Sequence, residues 1–134
     1  MIPEEARHLS ISRRDYARLA LVDDDVSVRN GVSRLARAHG FHCTTFDSGE
    51  SALNSPSLRD FDCLILDVQL PGLDGFEVRN RLEHQGIHLP VVFITAHSDR
   101  DSPEWTRHLK GSPCLSKPFE EEDFIGAVCR ILNS

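Results

Sequence analysis

The sequence predicts an α/β fold, a five-stranded parallel sheet of order 2-1-3-4-5 with helices on both faces. First, Leu19–Val22, Cys63–Leu66 and Val91–Thr95 are short apolar runs bounded by turn residues, as in strands buried on both faces. Second, these runs alternate with segments of helical spacing, which places a helix in each crossover. Third, right-handed crossovers leave few topologies for such a sheet, and 2-1-3-4-5 is the common one at this size. The 134 residues suit one domain.

Residues 1–17 are polar, include Arg13-Arg14 and lack an apolar centre, so they read as an N-terminal extension and not a signal peptide. Leu19–Val22 is the first strand, ended by Asp23-Asp24-Asp25. Val28, Val32, Leu35 and Ala36 then recur at helical spacing, and Gly40 provides a stop. His42–Phe46, with two threonines, is a weaker strand suited to the sheet edge. A short helix is expected over Ser48–Ser55, before Pro56. Cys63–Leu66 is the central strand, and Asp67 at its carboxyl end is expected half out of the core. Next comes a helix over Gly75–Gln85, using Phe76, Val78 and Leu82 and ended by Gly86. Pro90 leads into Val91–Thr95. Ala96–Lys110 is helical by alternation yet polar; Pro103 interrupts it and only Trp105 and Leu109 are apolar, so a short or mobile helix is expected. Trp105 reads as packing or, as the alternative, an anchor for a partner. Cys114–Ser116 is a marginal fifth strand. The last helix opens with Glu120–Asp123, acids that suit a helix N-terminus, and buries Phe124, Val128, Ile131 and Leu132.

A formal charge of −6 argues against direct nucleic-acid or membrane-surface binding, which needs a basic face. No apolar run approaches the length of a membrane span. Cys43, Cys63, Cys114 and Cys129 lack C-x-x-C spacing and read as buried, reduced thiols of a cytoplasmic protein. The histidines show no metal-binding spacing.

Chemistry concentrates at one edge. In the 2-1-3-4-5 order, Asp23 and Asp24 end strand one, Asp67 ends strand three, Thr95 ends strand four and Lys117 ends strand five, all on the rim where such sheets bind ligands. Two like charges about 4 Å apart repel by about 4 kcal/mol at an effective dielectric near 20. The cluster therefore needs a cation or a protonated carboxyl. Oxygen ligands at a partly open site suit Mg²⁺, with Mn²⁺ as the alternative. Lys117 adds a point charge and Thr95 a donor, as a phosphoryl group on or near Asp67 would require.

Residues 18–134 resemble the receiver domain of two-component response regulators, a flavodoxin-like (βα)5 fold. The resemblance rests on Leu21-Val22-Asp23-Asp24-Asp25, on the run from Leu64 to Gly75 (LILDVQLPGLDG), on Phe93-Ile94-Thr95-Ala96 and on Ser116-Lys117-Pro118-Phe119, in order and each at a strand end. It implies that Asp67 accepts phosphate from a histidine kinase or phosphotransfer protein, a signalling role and not an enzyme's beyond self-phosphorylation and autodephosphorylation. It also implies Mg²⁺ held by Asp24, Asp67 and the Gln69 carbonyl, with Asp23 reaching it mainly through water. Thr95 and Lys117 would contact the phosphoryl oxygens beside a small Ala96, with a cis Lys117-Pro118 peptide. Gln69 and His97 occupy positions that tune dephosphorylation. Inward movement of Thr95 would shift the face of helix four, strand five and helix five, which is a candidate homodimer surface. A downstream output domain or protein would read that face. Cys114 stands where the family usually has an aromatic switch residue, and Gly111-Ser112-Pro113 replaces a small apolar turn. A single-domain regulator and the receiver part of a longer protein both stay open; the Asp67–Gly75 loop favours the latter.

Three other readings compete. Asp23–Ser27 loosely fits the D-x-D-x-[ST] loop of haloacid-dehalogenase-like phosphatases, but that leaves Asp67 without a role and supplies no late acidic pair. An FMN-binding flavodoxin needs a donor-rich first loop, and this one is acidic. A phosphorylation-independent scaffold would lack acidic residues, and none is missing.

Overall fold

A computed structural model describes residues 17–96 and 103–133 of the chain. Its five strands are β1 (Arg18–Val22), β2 (His42–Phe46), β3 (Cys63–Asp67), β4 (Val91–Thr95) and β5 (Cys114–Ser116). The helices among the described residues are α1 (Val26–Ala38), α2 (Gly49–Leu53), α3 (Gly75–His84), α4 (Pro103–Leu109) and α5 (Glu121–Leu132), with a 3₁₀ turn at Leu58–Asp60. All strand pairs are parallel and the order is β2-β1-β3-β4-β5.

Alternation along the strands divides the core into two layers. Leu19, Leu21, Cys63, Ile65, Val92 and Ile94 face α1 and α5, meeting Val32, Ala36, Phe124, Ala127 and Val128. Ala20, Val22, Leu64, Leu66, Val91 and Phe93 face the opposite side, with Ala52 of α2 and Val78 and Leu82 of α3. β3 is buried along its whole length because β1 and β4 flank it and both layers cover it.

Local chemistry sets the helix ends. Asp25 caps α1, its carboxylate accepting from Ser27 N at 2.8 Å and Val28 N at 3.4 Å. Asp74 and Glu77 form a reciprocal capping box at α3. Gly40 and Gly86 follow the caps of α1 and α3 with φ of 89° and 75°.

Several sequence expectations need correction. Among the described residues α4 begins at Pro103, which suits the first turn of a helix; the stretch before it, where Pro103 is expected to interrupt a longer helix, lies outside the described residues. Ile131 and Leu132 pack half-buried against the core, and the fully buried residues of α5 are Phe124, Ala127 and Val128. Cys43 and Cys63 are buried, but Cys114 and Cys129 are half-buried, on the edge strand and the last turns of α5; all four are free thiols. Ala17 packs with the fold, its carbonyl accepting from His42 N at 3.0 Å. Residues 1–16 of the extension lie outside the described residues.

Candidate functional site

The carboxyl ends of β1, β3, β4 and β5 bring four of the expected side chains together. Asp23, just past β1, is fully buried. Its Oδ1 accepts from Asp25 N at 2.9 Å, and its carbonyl accepts from Arg29 Nη1 at 2.9 Å. Oδ2 of Asp23 makes a 2.7 Å ion pair with Lys117 Nζ but has no well-aligned hydrogen bond. The three consecutive acids thus divide their work: Asp23 turns inward, Asp24 is exposed and Asp25 caps the helix.

Asp67 closes β3. Its Oδ1 accepts from Gln69 N at 3.0 Å and its Oδ2 from Lys117 Nζ at 3.0 Å. Only 3% of the residue is exposed, so the expectation of an aspartate half out of the core is wrong. The loop folding back over the strand end accounts for this. Gly75 N donates to Val68 O at 3.0 Å, and a Cβ at Gly75 would stand 2.5 Å from the Asp67 carbonyl oxygen. Only glycine permits that approach.

Thr95, fully buried at the end of β4, donates its hydroxyl to Gln69 Oε1 at 2.9 Å. The Ala96 N–H reaches the same oxygen at 3.4 Å, and Ala96 itself is exposed. Lys117 follows β5, its N–H donating to Thr95 O at 2.7 Å, and the Lys117-Pro118 peptide is cis. Cys114 opens β5 opposite Phe93 and packs, half-buried, on the α2–α3 layer. His97 lies outside the described residues.

Burial raises the pKa of Asp67 to about 6, with the nearby Asp23 carboxylate adding to the rise and the Lys117 contacts opposing it. Burial works against the charge on Lys117, but contacts with Asp23 and Asp67 outweigh it and hold its pKa above the ordinary lysine value. The ammonium is thus the counter-ion of two buried acids. Asp23, Asp24 and Asp67 each offer a carboxylate oxygen, all within 4.8 Å of one another. Those oxygens, with Asp23 Oδ2 buried and poorly hydrogen-bonded, fit a hard divalent cation.

Comparison with known proteins decides the family. The model of the response regulator receiver domain matches residues 19–129. The chain belongs to that family. This receiver domain is 38% identical over 110 residues to nodulation protein W of Bradyrhizobium diazoefficiens, covering 81% of the chain and 48% of that protein. It thus spans about half the length of that curated relative. A response regulator receiver protein from Burkholderia phymatum superposes with a TM-score of 0.74 at 41% identity, over 87% of this chain and 95% of that one. Chemotaxis protein CheY4 of Vibrio cholerae gives 0.77 at 29% identity, over 87% and 98%. The receiver fold has the flavodoxin-like order that the sequence predicts.

Two features, one at the site and one away from it, escaped the sequence. One is the Gln69 side chain, whose direction no spacing rule fixes. The other is Arg79, buried on α3, which donates to the carbonyls of Leu109 (2.8 Å) and His108 and to Ser112 Oγ (3.1 Å). An arginine amid the polar residues of a helix gives no sign of such partners.

Proposed function

We propose that Asp67 is the phosphoacceptor of a two-component phosphorelay, taking a phosphoryl group from a histidine kinase or phosphotransfer protein. The observation that carries this is the Lys117 ammonium bridging buried Asp23 and Asp67 at adjoining strand ends. Ionised Asp67 presents a carboxylate oxygen to phosphorus. The new O–P bond forms as the donor's N–P bond breaks and the imidazole leaves. Lys117 neutralises charge on the transferring group, and Thr95 Oγ1 and Ala96 N–H supply donors beside it. Asp23, Asp24 and Asp67, with the Gln69 carbonyl, would hold Mg²⁺ or Mn²⁺, which supplies charge neutralisation for phosphoryl transfer. His97 and Gln69 are proposed to tune hydrolysis.

The acyl phosphate adds about −1.5 to −2 charge at the rim. We place the response on the α4–β5–α5 side, as a population shift between two packings. α4 has no fully buried residue and every residue of β5 is half-buried, so these two elements are loosely packed against a well-buried α5. The same face is a candidate dimer surface and the contact for an output domain or protein. Cys114 leaves the usual aromatic coupling without its ring. We assign the receiver to residues 18–134, the preceding segment to an extension and the whole to the cytoplasm; among the described residues no helix is long and apolar enough to cross a membrane. A haloacid-dehalogenase mechanism finds no support, because it leaves Asp67 without a role although Asp67 shares the Lys117 ammonium with Asp23.

The test is uptake of labelled phosphate from acetyl phosphate with Mg²⁺. Wild-type protein should acquire an alkali-labile label and Asp67→Asn none. A label of that kind on Asp67→Asn would disprove the acceptor assignment.

A further inference from the structure

Three donors converge beside Asp67, and all three are already occupied from within the chain, two of them by Gln69. Gln69 Oε1 takes the Thr95 hydroxyl at 2.9 Å and the Ala96 N–H at 3.4 Å. The third donor, Lys117 Nζ, is on Asp67 itself. Gln69 is held there by its own backbone, since its N–H donates to Asp67 Oδ1 at 3.0 Å. One residue therefore orients the acceptor with its main chain and covers the acceptor's oxyanion donors with its side chain.

We propose that the Gln69 carboxamide is an internal stand-in for a phosphoryl oxygen, displaced when an anionic tetrahedral group arrives on Asp67. This rests on the reading of Asp67 as the phosphoacceptor and adds a competitor for its donors. A carboxamide oxygen is a neutral acceptor and a phosphoryl oxygen a charged one, so the incoming group wins the donors through stronger, charge-assisted bonds. Without the group, the stand-in gives the buried Thr95 hydroxyl an acceptor beside the site. The cost is affinity: the group must first break the bonds that Gln69 makes. Gln69 is only half-buried, so its amide can turn to water once displaced. Substitutions at position 69 leave the backbone N–H and carbonyl in place.

The probe is beryllofluoride with Mg²⁺, titrated by fluorine NMR and calorimetry against wild type, Gln69→Met and Gln69→Ala. Methionine keeps the length and loses the acceptor, so binding should tighten about threefold to tenfold, the worth of an ordinary hydrogen bond. Gln69→Ala should move the same way. In metal-free Gln69→Met the Ala96 amide resonance should also shift, because its acceptor is gone. Equal or weaker binding by Gln69→Met overturns the proposal while leaving the acceptor assignment intact, as does an unmoved Ala96 resonance. A Gln69→Ala response opposite to that of Gln69→Met assigns the gain to the methionine and also overturns it. Failure of all three proteins to bind overturns both readings.

Discussion

At the residue scale, metal-free Asp67 is an acid whose ionisation opposes folding. Its pKa is raised to about 6 in the fold, against about 4 in an unfolded chain. The folded state therefore holds its proton more tightly, and stability falls as pH rises from about 4 through about 6. Asp67→Asn removes that burden and should stabilise the metal-free protein by about 1–2 kcal/mol at pH 7, with the gain vanishing below about pH 4. Denaturant unfolding at several pH values checks this; a gain unchanged at low pH would contradict it. Lys117→Met is the converse. It leaves two buried carboxylates without their cation and should destabilise by about 1–3 kcal/mol in chelator, with Mg²⁺ raising the Tm of the variant more than that of wild type. Strand-end logic made Asp23, Asp24, Asp67, Thr95 and Lys117 legible in the sequence, since each sits at the end of an expected strand. It could not show that the loop closes over Asp67, because that depends on Gly75 packing against a distant carbonyl.

At the scale of elements, α4 is held by its carboxyl end and by ring contacts more than by a buried face. Phe76 of α3 meets Trp105 edge-on at 5.4 Å and stacks on His108 at 5.0 Å. The Arg79 guanidinium lies over Phe93 at 4.9 Å and binds carbonyls at the carboxyl end of α4, favourable company for a cation. Burial lowers the pKa of Arg79, with Glu83 opposing the shift. Arg79→Met should keep the apolar stem, lose these bonds and destabilise by about 1–3 kcal/mol. Hydrogen exchange should quicken over residues 103–114 while the amides of β1 and β3 keep their protection. Uniform quickening would mean that Arg79 supports the whole core and not α4 in particular. The sequence marked this stretch as weakly helical from its polarity. Its tether was illegible, because a cation bound to carbonyls leaves no complementary acid to find.

For the whole molecule, the sheet order and the two apolar layers were legible because continuous apolar runs and helical spacing are strong signals. Boundaries at the polar helix and the end of α5 were not, since a few half-buried side chains decide them. Among the described residues both layers are built from Ala17 onward. A chain beginning at Ala17 should therefore unfold in one transition with a Tm within about 3 °C of the full chain. A larger drop would make the preceding segment part of the fold. The central claim, that four strand ends assemble a phosphoryl site on Asp67, is tested most directly by a crystal structure with beryllofluoride and Mg²⁺. The account predicts the mimic on an Asp67 carboxylate oxygen, touching Lys117 and Thr95, with the cation among Asp23, Asp24 and Asp67. A bare Asp67 with the mimic bound elsewhere would contradict it.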